Sequence, residues 1–499
     1  MNDKWFNDME SKIPQGKIRT RFAPSPTGFM HIGGVRTALY AYLIAKKSNG
    51  TFILRIEDTD SARLVEGATE GIIKTLNDIG LNYDEGPDIG GPVAPYTQSE
   101  RKSLYRPYAE LLCEKDAAYY CFCEDGGRDK DGEERNTHEL RDDPCRELPY
   151  KISSRRVKEG EYFVVRMKAP REGETTVNDL VFGTITTPNK IIDDMILLKR
   201  DGMPTYNFAN VIDDHLMGIT HVLRGSEYIS SAPKYNLLYK AFDWDIPEYI
   251  TVSPIMRDAQ NKLSKRHGDS TYDDLINQGY LPEAILNYIV LLGWSPGGEK
   301  EIFSLSEMLE AFDISGISKS PAIFDIEKLN HFNSEYIRAL APDDFAKLAK
   351  PYIKQVVKNE NLNTDAIASI LQARCVKLTD ISEKIDFFDN LPDYDIELYT
   401  NKKAKTNEQV SLDMLNAVES ELSAISEWTT ESIGDLFTAL AEKLDVKKAT
   451  LMSPVRTAIS GKPVTPGGAV EICYILGRAE TLRRIKVGID KLAHHTTSA

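Results

Sequence analysis

The chain has 499 residues, 41% of them hydrophobic, which is enough for roughly three or more domains with cores of their own. Its formal charge of −15 argues against indiscriminate nucleic-acid binding but leaves room for local basic faces that bind RNA. No apolar run is long enough to cross a membrane, and the polar start is unlike a signal peptide, so we expect a cytoplasmic protein without a membrane partner. Six cysteines in a chain this long do not predict a disulfide framework.

The first predicted elements surround residues 21–43, which read RFAPSPTGFMHIGGVRTALYAYL. A strand over residues 18–22 runs into a Pro/Gly-rich turn, and a helix with apolar residues at helical spacing begins after Gly34. The free amides at a helix start favour bound phosphate, Gly33 and Gly34 leave room for it, and His31 adds a proton-bearing ring. Taken alone, this stretch is equally compatible with a structural turn.

Strands and helices then alternate, which predicts a doubly wound α/β domain with a parallel sheet. We expect a strand over residues 51–57 and a helix over residues 65–79. Ligands of such sheets bind at the carboxyl ends of the strands, where the acidic run RIEDTD of residues 55–60 falls. A run of surface ion pairs is the alternative explanation for these acids.

The pattern changes over residues 100–206, which indicates an inserted domain. It has a predicted helix over residues 104–114 and strand-like runs at residues 162–167, 180–186 and 195–199. Parallel-sheet material returns over residues 204–244, and helices are expected at residues 232–242, 282–292 and 305–312. From residue 342 onward the apolar residues keep helical spacing, and no strand run interrupts them.

Basic residues in the helical tail form four candidate RNA-binding faces. They are Lys402 with Lys403, Lys447 with Lys448, Arg456, and the group Arg483, Arg484 and Lys486. An ordinary solvated helix face explains each of them equally well.

A further basic stretch, NKLSKRHG at residues 261–268, places Lys262, Lys265 and Arg266 within five residues, as a phosphate clamp requires. A solvated loop is the usual explanation for such a run. Its pairing with the upstream APSPTG-x-x-HIGG is far more specific, and the pair resembles the HIGH and KMSKS motifs of class I aminoacyl-tRNA synthetases. The runs RFAPSPTG, RIEDTD, PTYNFANVIDDH and THVLRG resemble the glutamyl-tRNA synthetases in particular.

The resemblance implies an α/β fold: a split Rossmann-type catalytic domain with an inserted domain that binds the acceptor end of tRNA, followed by an all-α anticodon-binding region. We expect the two catalytic halves at residues 1–100 and 207–256, the insertion at 101–206, the KLSKR loop and stem-contact domain at 257–340, and the anticodon-binding domain at 341–499. The helical tail separates the chain from glutaminyl-tRNA synthetases, whose anticodon region is built from β-barrels.

The implied reaction ligates L-glutamate to the 3′ end of tRNA(Glu) through a glutamyl-adenylate, using ATP with Mg²⁺ and releasing AMP and pyrophosphate. Both steps spread negative charge, so positioning and electrostatics carry the catalysis. The resemblance assigns catalysis to His31 and Lys265 and ATP binding to His31, Gly33, Gly34, Glu227, Lys262, Lys265 and Arg266. It also implies a monomer and leaves tRNA(Gln) open as a second substrate.

This chain departs from the class motifs at three positions. Gly34 stands where the class has its second histidine, a form also found among the glutamyl enzymes, and Leu263 and Arg266 replace Met and Ser. Because Gly34 has no side chain, the role of a second histidine ring is absent from this chain. The other two are conservative for a loop that depends above all on Lys265.

A dicarboxylic amino acid needs a cation for its carboxylates and an acceptor for its amine. The resemblance assigns Arg21 and Arg224 to the carboxylates and Glu57 to the amine. The remaining implied contacts come from Ala23, Ser25, Tyr206 and Asn210.

Three other functions are considered at this point. A glutaminyl-tRNA synthetase is disfavoured by APSPTG and by the helical tail, and an adenylyltransferase or nucleotide-binding regulator would not need that tail. A synthetase-derived RNA-binding protein without catalysis would be expected to lose His31 or Lys265, and both are present.

Three cysteines of the insertion, Cys121, Cys123 and Cys145, favour thiolate ligation of a structural zinc over disulfides in a reducing compartment. Some glutamyl-tRNA synthetases carry a similar C-x-C…C-x-H site, and Glu147 stands here where that histidine would be. Glu147 is therefore the candidate fourth ligand, while His138 as the ligand and three buried thiols without metal both stay open.

Overall fold

The chain forms two compact units in the computed structural model. The first unit takes in Met1–Leu275 and Ile285–Asp325, and the second takes in Ile276–Ala284 and Ile326–Ala499. The described residues are 3–123, 143–261, 263 and 271–496.

The strands all lie in the first unit, as far as the described residues show. They are β1 (Arg19–Phe22), β2 (Thr51–Leu54), β3 (Ala118–Cys121), β4 (Val164–Met167), β5 (Glu174–Asp179), β6 (Gly183–Pro188), β7 (Ile196–Leu198), β8 (His221–Gly225), β9 (Glu248–Val252), β10 (Ile255–Met256) and β11 (Ala322–Ile323). The helices up to residue 311 are α1 (Asp3–Ser11), α2 (Ile32–Lys47), α3 (Ala68–Asp78), α4 (Lys102–Glu114), α5 (Tyr150–Lys158), α6 (Tyr206–Leu216), α7 (Ala232–Phe242), α8 (Tyr272–Asn277), α9 (Pro282–Leu291) and α10 (Leu305–Ala311).

A six-stranded sheet in the order β2, β1, β8, β9, β5, β6 organises the first unit. Neighbours from β2 to β5 run parallel, and β6 runs antiparallel to β5. The parallel part agrees with the predicted doubly wound fold, so the carboxyl ends of β1 and β8 meet at one edge, where such sheets bind ligands. The site is expected at that edge.

The hairpin of β5 and β6 differs from the predicted single strand over residues 180–186. Val177 is the only aliphatic residue of β5, whose buried face otherwise consists of Thr175 and Asp179. A strand with so little hydrophobic alternation gives no period-2 signal. The hairpin lies within residues 101–206, and β5 extends the six-stranded sheet.

The floor of the expected site is formed by β1 and by the buried face of α2. All of β1 is buried, including Arg19, whose charge meets Glu85 at 2.8 Å. The Thr20 hydroxyl donates to the Ala41 carbonyl at 2.8 Å, and Leu39 of α2 is fully covered. Polar groups with such partners can be buried without a large desolvation cost.

A smaller antiparallel sheet, in the order β3, β4, β7, packs with α4, α6 and α7 around one core. Tyr105, Leu197, Phe208 and Leu238 are among its fully or nearly fully buried side chains. This core fixes α6, the helix that carries most of the PTYNFANVIDDH motif, beside the ligand-binding edge.

The second unit is helical throughout its described residues, as predicted. Its helices are α11 (Ile326–Ala339), α12 (Pro342–Val356), α13 (Thr364–Leu371), α14 (Asp380–Ile385), α15 (Glu408–Ala424), α16 (Thr430–Lys443), α17 (Lys448–Ser460) and α18 (Ala469–Thr496). Their apolar faces share one core, with Leu415, Val455 and Ile472 at its centre. Gly477, at φ 77°, breaks the helical geometry inside α18. In neither unit does a described helix combine the length and the apolar character needed to cross a membrane.

Candidate active site

A cleft of about 570 Å³ opens at the carboxyl ends of β1 and β8, beside the start of α2. Residues that sequence analysis assigned to the site line it: Arg21, Ala23, Ser25, His31, Gly33, Gly34, Glu57, Tyr206, Arg224 and Glu227. Asn210 lines a small pocket beside the cleft, together with Arg21, Tyr206 and Arg224. The two basic motif residues Lys262 and Lys265 lie outside the described residues, as does Arg266, whereas Leu263 is buried and lines the cleft.

His31 caps the first turn of α2 from the cleft side. Its Nδ1 accepts from the Gly33 N–H at 3.0 Å, so the neutral ring carries its proton on Nε2. A Cβ at Gly33 would stand 3.2 Å from that Nδ1, whereas a Cβ at Gly34 would meet Met30 only at 3.5 Å. Gly33 therefore keeps the capping geometry open, and the position of Gly34 has room for a side chain, as the class motif requires.

Four buried charges form a network at the sheet edge. The Oδ1 atom of Asp214 accepts two hydrogen bonds, one from Arg21 Nε at 3.0 Å and one from Arg55 Nη1 at 2.7 Å. Arg55 also donates to Glu57 Oε1 from Nη2 at 2.9 Å. Burial raises the pKa of Glu57, an effect that Arg55 offsets in part, while Arg21 and Arg55 hold the pKa of Asp214 below its usual value despite burial. The network aims Arg21 and Glu57 at the cleft.

Arg224 has no carboxylate within ion-pair distance in the described part of the chain, and the buried Asp179 acts on it only from farther away. Its side chain is buried, its guanidinium lies 3.9 Å from the ring centre of Tyr249, and its Nε and Nη1 have no hydrogen-bond partner. Burial lowers the pKa of the guanidinium, and the Tyr249 and Tyr235 hydroxyls offset this in part. Unpaired buried donors are costly, so this group is suited to an anion that enters the cleft.

Sequence analysis missed the residues that hold the site in place. Asp214 and Arg55 stand inside quoted motifs, but their pairing needs α6 and the end of β2 to meet, which one sequence does not show. Arg36 lies one turn after Gly33 on the buried face of α2. A charged residue among the apolar positions of this helix was the sequence signal that could have identified it.

Arg36 ties α2 to the segment that leads to the KLSKR stretch. Its Nη1 donates to the Leu292 carbonyl at 2.8 Å, and its Nη2 donates to the carbonyl of Ser253, just after β9. Its Nε has no partner among the described residues, and burial lowers the pKa of its guanidinium. Arg36 therefore places a buried positive charge at the wall of the cleft, where Glu227 also stands.

We expect Arg36→Gln to weaken the use of ATP, because it removes both the charge and the anchor at Ser253. Losing a charged hydrogen bond costs about 1.5 to 3 kcal/mol, or roughly 10- to 150-fold in kcat/KM for ATP. The control is Tyr40→Phe, which removes a bond from the same helix to the Val290 carbonyl at 2.9 Å. Equal losses in the two variants would show that Arg36 acts only on stability.

A second cluster of ligand-type side chains lies in the smaller sheet region. The thiols of Cys121, Cys123 and Cys145 and a carboxylate oxygen of Asp143 all lie within 4.8 Å of one another. The sulfur atoms of Cys123 and Cys145 are 3.8 Å apart, and Cys121 Sγ is 2.9 Å from Asp143 Oδ2.

The predicted fourth ligand, Glu147, is not part of this cluster. Its side chain is 80% exposed and faces Arg146 at 3.7 Å. Asp143 is the fourth member of the cluster instead. Its carboxylate accepts from the Cys145 N–H at 2.9 Å, and this hydrogen bond holds the carboxylate beside the thiols. The alternative His138 lies outside the described residues.

Comparison with known proteins agrees with this geometry. Residues 17–331 match the family described as "tRNA synthetases class I (E and Q), catalytic domain", and residues 344–489 match an anticodon binding domain. The glutamate–tRNA ligase of Clostridium botulinum is 54% identical over 479 residues, which cover 95% of this chain and 99% of that protein. The ligase of Clostridium tetani is 53% identical over the same length.

A solved structure shows the same fold over nearly the whole chain. It is the crystal structure of a glutamate tRNA ligase from Elizabethkingia meningosepticum in complex with its amino acid, with 34% sequence identity and a TM-score of 0.84. The match covers 96% of this chain and 100% of that one. The chain therefore belongs to the class I tRNA synthetases and, within them, to the glutamate–tRNA ligase family.

Proposed function

We propose that the chain joins L-glutamate to tRNA(Glu) for protein synthesis. The glutamate carboxylate attacks the α-phosphate of ATP, which forms glutamyl-adenylate and expels pyrophosphate. The terminal ribose hydroxyl of the tRNA then takes the glutamyl group and releases AMP. The observation that carries the proposal is the unpaired guanidinium of Arg224, buried beside the cleft that the His31 helix start borders.

The charge of the site favours glutamate over glutamine. Arg224 is a buried guanidinium whose Nε and Nη1 have no partner among the described residues, so the site offers an unfilled position for an anion. Zwitterionic glutamate carries one net negative charge, and zwitterionic glutamine carries none. Only glutamate brings a side-chain charge to this guanidinium, and leaving buried donors unpaired is costly.

Each assigned residue has a role that its surroundings support. Arg224 binds the side-chain carboxylate of glutamate, and Arg21 binds its α-carboxylate. Glu57, which Arg55 orients, accepts from the ammonium group. Tyr206 and Asn210, on the first two turns of α6, close the pocket, and Ala23 and Ser25 supply the wall after β1.

ATP binding uses the opposite side of the cleft. Gly33 and Gly34 place no side chain between the start of α2 and the cleft, and the His31 ring, whose Nδ1 accepts from the Gly33 N–H, can donate from Nε2 as charge develops. Glu227 stands beside Gly225 at the cleft wall, and a Cβ on Gly225 would clash with it. Lys262, Lys265 and Arg266 are proposed to hold the leaving pyrophosphate. Mg²⁺ arrives with ATP, bound mainly by phosphate oxygens and water.

The tRNA contacts follow the predicted division of the chain. Residues 101–206 bind the acceptor end, residues 257–340 the stem and residues 341–499 the anticodon. We propose a monomer in the cytoplasm, with tRNA(Glu) as its substrate and tRNA(Gln) as the second tRNA to test.

The test is a charging assay with purified tRNA(Glu) and tRNA(Gln) and with labelled glutamate or glutamine. We expect glutamyl-tRNA(Glu) from the wild type, and a fall of roughly a hundred- to a thousand-fold in kcat for Lys265→Ala, typical for the loss of one preorganised charged contact. Glutaminyl-tRNA as the sole product would overturn the amino-acid assignment, and no charging of either tRNA would overturn the function.

We further propose that the cysteine cluster holds one structural zinc ion, which takes no part in catalysis. In a tetrahedral zinc site with bonds of about 2.3 Å the sulfur atoms stand roughly 3.8 Å apart, which fits the separation of Cys123 and Cys145. Three thiolates with one carboxylate are an acceptable donor set for zinc. When bound, the ion would cross-link β3 to the turn at residues 143–148.

We expect near-stoichiometric zinc in protein purified without chelator, and loss of zinc together with a lower melting temperature in Cys123→Ser. Asp143→Asn should weaken zinc retention and Glu147→Gln should not, which separates the two candidate ligands. Cys113→Ser is the matched control, because Cys113 is a buried cysteine of α4 outside the cluster. Zinc-free protein of unchanged stability would show that the three thiols are only core residues.

A further inference from the structure

Of the four basic faces of the helical tail, two are occupied by internal contacts. Arg483 pairs with Glu480 at 2.7 Å, and Arg484 is buried and donates to the Ile459 carbonyl at 2.8 Å. Arg456 donates to the Pro463 carbonyl at 2.9 Å. These guanidinium groups stabilise the second unit itself and are poor candidates for binding a partner.

The other two faces carry lysines without a counter-ion. Lys402, Lys403, Lys405, Lys447 and Lys448 are all exposed, and none of their amines lies within 4 Å of a described carboxylate oxygen. No acidic residue occurs in residues 400–406 or 446–452. In a chain of net charge −15 such a concentration of unpaired positive charge is unusual.

A hydrogen bond brings the two lysine segments together. The Thr450 hydroxyl, in the first turn of α17, donates to the Ala404 carbonyl at 2.7 Å, and both residues are buried. Lys447 and Lys448 lie three and two residues before Thr450, and Ala404 lies between Lys403 and Lys405. The two segments therefore present one surface, which we call the lysine patch: Lys402, Lys403, Lys405, Lys447 and Lys448.

The turn that carries three of these lysines is rigidly built. Asn401 and Thr406 exchange two backbone hydrogen bonds, of 3.1 and 3.0 Å, which close the turn. The side chain of Asn401 also accepts from the Lys403 and Ala404 N–H groups at 3.0 and 3.1 Å. A backbone fixed in this way holds the Cα atoms of these lysines in place, so the turn itself loses little entropy when a polyanion binds.

We propose that the lysine patch binds the phosphate backbone of the tRNA bound by the second unit. Lysine amines suit phosphate oxygens as point charges and read no base, so the patch positions the RNA without selecting its sequence. The inference rests on the proposed function, because it takes tRNA as the partner. It adds a backbone contact surface that does not depend on which anticodon is read.

The test compares tRNA binding at about 50 and 200 mM salt for wild type, Lys402→Gln/Lys403→Gln/Lys405→Gln and Lys447→Gln/Lys448→Gln. Each lost phosphate contact should reduce the slope of log K against log salt by about 0.7 to 0.9. We expect affinity at low salt to fall at least about tenfold in each variant, with KM for ATP and glutamate unchanged. The control is Lys443→Gln, because Lys443 is exposed in the same unit but pairs with Glu421 at 3.0 Å.

The outcomes separate this inference from the proposed function. If wild type charges tRNA and the patch variants keep the wild-type salt slope and affinity, the patch is a solvated surface and the inference is wrong. If wild type charges no tRNA, the proposed function fails, and the salt slope for a tRNA-sized RNA hairpin still decides whether the patch binds RNA. Equal losses in Lys443→Gln would also overturn it, because they would show a general charge effect.

Discussion

Replacing Arg224 with glutamine should remove the preference for glutamate over glutamine. The guanidinium is buried, stacks 3.9 Å from the Tyr249 ring centre and has unpaired Nε and Nη1 donors, so it is the group that a side-chain carboxylate can satisfy. Truncating one partner of a buried hydrogen-bonded charge pair costs about 2 to 5 kcal/mol, or roughly 30- to 5000-fold in kcat/KM for glutamate. Use of glutamine should change far less, because its amide leaves the guanidinium poorly paired in the wild type.

Two further variants show whether charge or packing is responsible. Tyr249→Phe keeps the aromatic ring under the guanidinium and loses only a hydroxyl that donates to Asn236 at 2.9 Å, so it should retain the preference. Arg224→Lys keeps the charge but loses the planar fork, and we expect intermediate selectivity. The measurement is the ratio of kcat/KM values for the two amino acids. An unchanged ratio in Arg224→Gln would move the side-chain carboxylate to another partner.

The groups proposed to touch substrate were accessible from the sequence because motif residues report chemistry directly. His31, Arg21 and Glu57 lie in short runs whose order and composition are specific, and the structure brings them to one cleft. The partners that orient them were not accessible. Asp214 pairs with Arg21 across 193 residues of chain, and that pairing requires α6 to lie against β1.

The same distinction explains why Asp143, and not Glu147, lies in the cysteine cluster. Spacing points to Glu147, two residues after Cys145, but an exposed carboxylate on the far side of the turn cannot reach the thiols. Asp143 reaches them because its carboxylate binds the Cys145 N–H and bends the chain back. Local backbone hydrogen bonding of this kind is decided by the fold of the turn, and residue spacing alone does not determine it.

Replacing Asp214 with asparagine should lower the stability of the protein and also weaken its binding of glutamate. Asp214 is the shared counter-ion of Arg21 and Arg55, with donor distances of 3.0 and 2.7 Å. Its loss leaves two buried guanidinium groups short of negative charge, and breaking a buried pair in this way costs about 3 to 5 kcal/mol of unfolding free energy. We also expect KM for glutamate to rise roughly tenfold or more, since Arg21 and the Arg55–Glu57 pair lose their common support and one bidentate contact is worth at least about 1.5 kcal/mol.

The pH dependence of this effect has a definite sign. The two arginines hold the pKa of Asp214 below its usual value in the folded protein. A carboxyl with a depressed folded pKa stabilises the protein above its unfolded pKa, which is about 3.9, and loses that contribution as the pH falls through the folded pKa. The stability difference between wild type and Asp214→Asn should therefore be full near neutral pH and should shrink below about pH 4.

Asp213 provides the matched control, because it is the next residue and is just as deeply buried. It accepts from Arg101 Nε at 2.6 Å, from the Tyr105 hydroxyl at 2.9 Å and from Gln98 at 2.9 Å, and none of these groups lines the cleft. Asp213→Asn should therefore lower the free energy of unfolding by a similar amount, measured by denaturant titration, and should leave KM for glutamate near its wild-type value at temperatures where the variant is folded. If the two variants raised KM equally, Asp214 would be a residue of the protein core alone, and the orientation of Arg21 and Glu57 would not depend on it.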